Sequence, residues 1–205
     1  MSPRPYRLGQ RQAATDLTRA RIVEAARTLL LAEGPFTGFS IEDVARQAGV
    51  ARMTVYYQFG SKSGLLEALF DSLAARGGMS GLADAFQRAD ARDGLDELIA
   101  VFCRFWASDR LLTRRLYGLA ALDPELDVAL RTRASRRPQG LRVMLSRMAA
   151  QHGRPGPEEL EETIAALDVL TSFETFDRLA ESGRTTDQIT SLVQRLAHAA
   201  LGRER

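Results

Sequence analysis

Apolar residues recur along most of the chain at three- and four-residue intervals, the spacing of one face of an α-helix. Strict alternation, the mark of a half-buried strand, is nearly absent, and no Asn-Gly or Asp-Gly turn joins two apolar stretches. The pattern predicts an all-α protein of about nine helices. A first helix over 16–33 carries the stripe Ile22, Val23, Ala26, Leu29 and Leu30, and Gly34-Pro35 stops it. Two short helices, 40–48 and 52–59, are divided by Gly49. A longer one over 62–76 follows Gly60. The glycine-rich stretch 77–81 marks a domain boundary. Beyond it, 82–89, 93–108, 110–121, 124–151, 157–182 and 186–202 read as helices. Pro138 and Gly140 predict a kink or short break in the fourth of these, and 154–157 and 182–185 read as loops. Residues 1–14, with Pro3 and Pro5, read as a flexible basic arm. The organisation expected is therefore an arm (1–14), a first domain (15–76) and a second (77–205).

Composition narrows the class. With 205 residues, 45% hydrophobic and 26% charged, the chain has the make-up of a soluble globular protein. It lacks a run of about 18 uncharged apolar residues, and its start lacks the apolar segment of a secretory signal. A cytoplasmic protein without membrane attachment is expected. The single cysteine, Cys103, excludes an intramolecular disulfide and a cysteine-based metal site. His152 and His198 are isolated, so no metal site or cofactor is expected. No GxSxG, HExxH, P-loop or dinucleotide fingerprint supports an enzyme. Only Lys62 among the 28 basic residues is a lysine, and asparagine is absent. Charge is uneven: residues 1–70 hold nine basic and six acidic side chains, net +3, leaving −1 for the rest. A mildly basic head suits a polyanion.

The most informative stretch is Ser40–Lys62, SIEDVARQAGVARMTVYYQFGSK. Its two short helices joined by a glycine turn have the helix-turn-helix spacing. Ser40 can cap the first helix, with Asp43 at the capping-box position. Ala45 is small enough for the helices to approach, Gly49 can take the positive φ of the turn, and Val44, Val50 and Val55 can fill the wedge. The outer face of the second helix then carries Arg52, Met53, Thr54, Tyr56, Tyr57 and Gln58, which can donate to phosphates, touch thymine methyls or bond base edges. Lys62 follows at a helix N-terminus, where phosphate is already favoured. Phe59 reads as a core aromatic.

Residues 16–70 resemble the DNA-binding domain of the tetracycline-repressor (TetR) family of bacterial transcription regulators. The resemblance rests on Arg21-Ile22-Val23-Glu24-Ala25-Ala26, Gly38-Phe39-Ser40-Ile41, Asp43-Val44-Ala45, Gly49-Val50, Thr54-Val55-Tyr56-Tyr57-Gln58-Phe59 and Ser61-Lys62-Ser63-Gly64-Leu65-Leu66. It implies that Ser40, Thr54, Tyr56 and Lys62 contact backbone phosphates, that Tyr57 touches the backbone or a base methyl, and that Arg52 and Met53 read bases. Two positions depart from the pattern. Ala51 stands where many relatives have Ser, removing the side-chain N-cap of the second helix, and Gln58 stands where many have His.

The resemblance further implies a ligand cavity and a dimer interface in the second domain. Interface candidates are Leu167 and Leu170 on helix 157–182 and Ile189, Leu192, Val193, Leu196 and Ala200 on helix 186–202; packing within the chain is the other reading of both stripes. Pocket candidates are Phe102, Phe105, Trp106, Tyr117, Met144, Met148, Phe173 and Phe176, with core packing as the alternative for each. Asp168, Thr171 and Glu174 could supply polar groups. Arg131, Arg133, Arg136 and Arg137 read as a solvated basic run. The expected function is a homodimeric repressor that leaves a palindromic double-stranded DNA operator on binding a small, largely apolar effector. A DNA-binding regulator without an effector is the alternative.

Overall fold

The computed structural model describes residues 5–32, 39–152 and 157–202, with side chains described from residue 12 onward and excluding those of 152 and 157. Among these residues there are twelve α-helices and no strand, so the fold is all-α. The expected stop at Gly34-Pro35, the Gly38 position, most of the loop at 154–157 and the side chains of Arg4, Arg7, Arg11 and His152 lie outside the described residues.

Helix α1 spans Pro5–Leu31. It starts eleven residues before the expected start at 16, so residues 5–14 are helix and not an irregular arm. The physical reason is local. A proline in the first turn needs no N–H partner and has a helical φ, and the Arg, Leu, Gln and Ala that follow are good helix formers. Helices α2 (Ile41–Ala48), α3 (Arg52–Phe59) and α4 (Lys62–Arg76) have the expected limits. A short 3₁₀ turn at Met79–Gly81 precedes α5 (Leu82–Gln87), α6 (Ala91–Ser108) and α7 (Arg110–Ala120).

Two expected long helices are each divided. The first gives α8 (Pro124–Ala134) and α9 (Arg136–His152). The break falls at Ser135, whose hydroxyl donates to the Thr132 carbonyl at 2.8 Å. Pro138 lies in the first turn of α9, where its missing N–H costs nothing. The second gives α10 (Pro157–Leu170) and α11 (Phe173–Glu181). Here Ser172 is an N-cap in extended conformation, its hydroxyl accepting from the Thr175 N–H. Helix α12 spans Thr186–Leu201 and starts on a full capping box, Thr185 with Gln188.

The contacts divide the chain into two compact units. The first holds residues 1–72 and 114–127, the second 73–113 and 128–205. In the first, α2 packs on α1 and on α3. Ile22, Ala26, Leu30, Val44, Val55, Leu65, Leu66, Leu69, Leu116 and Leu126 are fully enclosed there. In the second, α6 packs against α5, α9, α11 and α12, and α10 against α9 and α12. Its buried side chains include Leu95, Ile99, Phe105, Trp106, Leu141, Met144, Leu167 and Val193.

Candidate nucleic-acid interface

The site is built on the α2–turn–α3 segment. Ser40 opens α2: its hydroxyl accepts from the Asp43 N–H at 3.1 Å and donates to the Asp43 carboxylate at 2.5 Å. Gly49 ends the helix at φ +63°, ψ +39°, a left-handed conformation that glycine adopts without steric cost. Ala45, Val44 and Val55 are buried between the helices, whereas Val50 is only half-buried. The apolar residues of α2 are thereby used up, and α3 is left with one enclosed residue, Val55.

The rest of α3 faces outward or lies at the margin. Tyr57 is 84% exposed and Met53 55%. Arg52 is exposed as well. Its guanidinium reaches the Tyr56 hydroxyl at 3.3 Å and lies 3.9 Å from a Glu42 oxygen. The Tyr56 hydroxyl, with Glu42 nearby, pushes the Arg52 pKa above the usual arginine range. Thr54, Tyr56 and Gln58 are half-buried at the edge of this face. Ala51 stands at the N-cap of α3 without a side-chain hydrogen bond, as its residue type requires.

The end of α3 is held from elsewhere. Arg19 of α1 donates to the Gln58 carbonyl at 2.6 Å, and its guanidinium lies over the Phe59 ring at 4.3 Å. Phe59 is thus a half-buried shelf for a cation and not an enclosed core residue. Lys62 begins α4 and pairs with Asp123 at 3.1 Å. Burial opposes ionisation of Asp123, but the hydrogen bond and charge of Lys62, with the N–H groups of Leu126 and Glu125, outweigh it and hold its pKa below the usual aspartate value. Arg115 donates to the carbonyls of Leu30 and Ala32 at the end of α1. Arg19, Arg115 and Asp123 carry no local motif, and their partners are remote in sequence. Only the charge tally included them.

Residues 22–69 match the family model for bacterial regulatory proteins of the tetR family. The N-terminal region is a TetR-family DNA-binding domain. Among curated relatives, the transcriptional regulator MftR of Mycobacterium tuberculosis is 31% identical over 125 residues, 60% of either chain. AlkX, an HTH-type transcriptional regulator of the same organism, is 37% identical over 70 residues, 34% of this chain and 33% of its own. The chain therefore spans 60% of the first relative and a third of the second. Among solved structures, a TetR-like transcriptional regulator from Rhodococcus sp. RHA1 superposes with a TM-score of 0.66 at 21% identity, over 91% of this chain and 97% of that one. The TetR-family regulator CifR, solved with a 26-base-pair operator duplex, gives 0.64 at 19% identity over 87% and 94%. At these identities the structural likeness concerns the fold.

The second-unit candidates fall into distinct places. Phe102, Phe105, Trp106, Met144, Met148, Phe173 and Phe176 are all buried. Trp106 lies 4.4 Å from Phe105 and 5.5 Å from Phe173 between ring centroids, and its indole N–H donates to the Thr171 carbonyl at 2.9 Å. Arg137, from the run expected to be solvated, is nearly enclosed: it pairs with Asp168 at 2.6 Å and lies over the Phe102 ring. Tyr117 belongs to the other unit. Glu174 is exposed. The open groove at the α11–α12 turn, lined by Arg184, Asp187, Gln188, Ser191, Leu192 and Arg195 among others, contains none of the eight pocket candidates. On the interface stripe, Leu167, Ile189 and Val193 are enclosed within the chain, Leu170, Leu192 and Ala200 are half-buried, and Leu196 is 44% exposed. Val169, absent from the expected stripe, is 63% exposed. Among the described residues, no helix is long and apolar enough to cross a membrane.

Proposed function

We propose that the chain is a sequence-specific transcription regulator, a cytoplasmic homodimeric repressor that binds a palindromic operator and leaves it on taking up a small, largely apolar effector. The observation that carries DNA binding is the outer face of α3. Arg52, Met53 and Tyr57 are exposed together on a helix whose inner side is closed by α2. Arg52 is the base reader, by bidentate bonds to a guanine edge. Met53 and Tyr57 contact methyls or sugars. Ser40, Thr54, Tyr56, Gln58 and Lys62 fix the register on phosphates. Two such heads, one helical turn apart, read a palindrome. An effector that favours another head spacing needs a coupling of only ~1–3 kcal/mol to change occupancy about 5–150-fold.

The aromatic cluster around Trp106, with the Arg137–Asp168 pair beside Phe102, is the place where an apolar effector with one polar group would be received. The close packing of these rings, with Met144 fully enclosed, favours the second reading, a regulator without an effector.

Selection of bound duplexes from random DNA, followed by release assays with a compound library, tests both. A palindromic winner released by a compound supports the repressor reading. A palindrome that no compound releases supports the second reading. No enriched sequence overturns sequence-specific binding. With the winner in hand, Arg52→Ala is expected to relax base preference at one position of each half-site. An unchanged selected motif removes Arg52 from base reading.

A further inference from the structure

The turn between α7 and α8 closes on the start of α4, within the first unit. Lys62 Nζ is 3.1 Å from Asp123 Oδ2, with side-chain exposures of 35% and 21%. Next to it, the Ser63 hydroxyl donates to Glu125 at 3.4 Å. The Asp123 carboxylate is itself fixed, because its other oxygen accepts from the Leu126 N–H at 3.3 Å as the cap of α8. The same segment is anchored at its other end by Arg115 on the carbonyls of Leu30 and Ala32.

We infer that Asp123 sets the DNA affinity of the head: its carboxylate holds Lys62 where a DNA phosphate would bind, so that phosphate must share or displace it. This rests on reading Lys62 as a phosphate donor. The chemistry is direct. A carboxylate and a phosphate oxygen are the same kind of acceptor for an ammonium, which has three protons to offer. A fixed anion one hydrogen bond from Lys62 lowers the positive potential that a phosphate meets there. It also neutralises Lys62 in the free protein, so that docking on DNA releases less than one counterion at this contact. The penalty is independent of sequence. It weakens binding to all duplexes alike and leaves discrimination to the base-reading side chains of α3.

The test is DNA affinity as a function of salt, measured by fluorescence anisotropy on the full-length protein with a random-sequence duplex. Asp123→Asn removes the charge and keeps a capping side chain. It is expected to tighten binding about two- to fivefold and to steepen the slope of log K against log salt by up to about 0.9. Lys62→Ala in that background is expected to abolish both gains. Glu125→Gln, which removes an equal charge that contacts Ser63, is expected to give less than Asp123→Asn. Thermal melting checks that each variant is folded. Unchanged or weaker binding by a folded Asp123→Asn overturns the inference. So does a gain that persists without Lys62, or an equal gain from Glu125→Gln. If Lys62→Ala alone alters neither affinity nor slope, the failure lies in the phosphate reading of Lys62 itself.

Discussion

At the scale of single residues, the basic side chains of the head do different jobs that a charge count merges. Arg52 is exposed beside Tyr56 and Glu42, Lys62 is paired with Asp123, and the exposed Arg19 donates to a backbone carbonyl of α3. The Arg19 arrangement answers a need of α3. That helix has two turns, no side-chain N-cap and no basic residue in its last turn, so its terminal carbonyls are open to a cation from outside. Arg19 supplies one and stacks on Phe59, tying the angle of α3 to α1. Arg19→Ala is expected to lower stability by about 0.5–1 kcal/mol in urea denaturation and to weaken operator binding, while the salt slope of binding stays as in the parent protein. A slope reduced by about 0.9 would instead mark Arg19 as a phosphate contact. Lysine at this position keeps the charge but not the planar stacking, so Arg19→Lys should recover only part of the loss.

At the scale of elements, what was legible in the sequence was what local rules determine. The limits of α2, α3 and α4 follow from Ser40, Gly49, Gly60 and the apolar spacing, and the outer face of α3 follows from the same spacing. The misplaced boundaries were competitions between local signals. Pro138 and Gly140 look like breakers, yet a first-turn proline is harmless; the divisions fall instead at Ser135 and at Ser172, whose cap of α11 a periodicity pattern does not register. Pairs such as Arg19 with Gln58 or Lys62 with Asp123 depend on tertiary packing and leave no periodic trace. Ser172→Ala removes the cap of α11 and is expected to cost about 1 kcal/mol; no change in the denaturation midpoint would mean that the Trp106–Thr171 bond suffices to hold the break. Gly94 is a second case. A Cβ there would meet the Ala85 carbonyl oxygen at 2.7 Å and the Met144 side chain at 3.1 Å, so α6 approaches α5 more closely than alanine permits. Gly94→Ala is therefore expected to destabilise by about 1–3 kcal/mol, although alanine is the better helix former by about 1 kcal/mol. A gain in stability would show that α5 gives way.

At the scale of the whole molecule, the proposed function requires that one α3 per chain suffice to read an operator. A single head would contact a few base pairs, and each correct pair discriminates by only about 1–3 kcal/mol; two heads fixed in one dimer would square that selectivity. The helices α10 and α12, which pack on each other, are the proposed meeting surface. Their stripes divide sharply by exposure. Ile189, Val193 and Leu167 are consumed by the chain's own core, while Leu196 and Val169 are left in water with Leu192, Leu170 and Ala200 half-covered. This division makes the test clean. Leu196→Glu places a charge on a surface of the single chain, so the protomer should still fold, but the charge would be desolvated in a dimer packed through it. Sedimentation at micromolar concentration is expected to give a dimer for the parent protein and a monomer for the variant. Its affinity for the full palindrome should fall to that for a half-site. Ile189→Glu, aimed at a side chain with no exposure, should instead unfold the chain. If Leu196→Glu remains dimeric, the interface does not run through this face of α12; if the parent protein is itself a monomer, cooperation between two heads must arise on DNA.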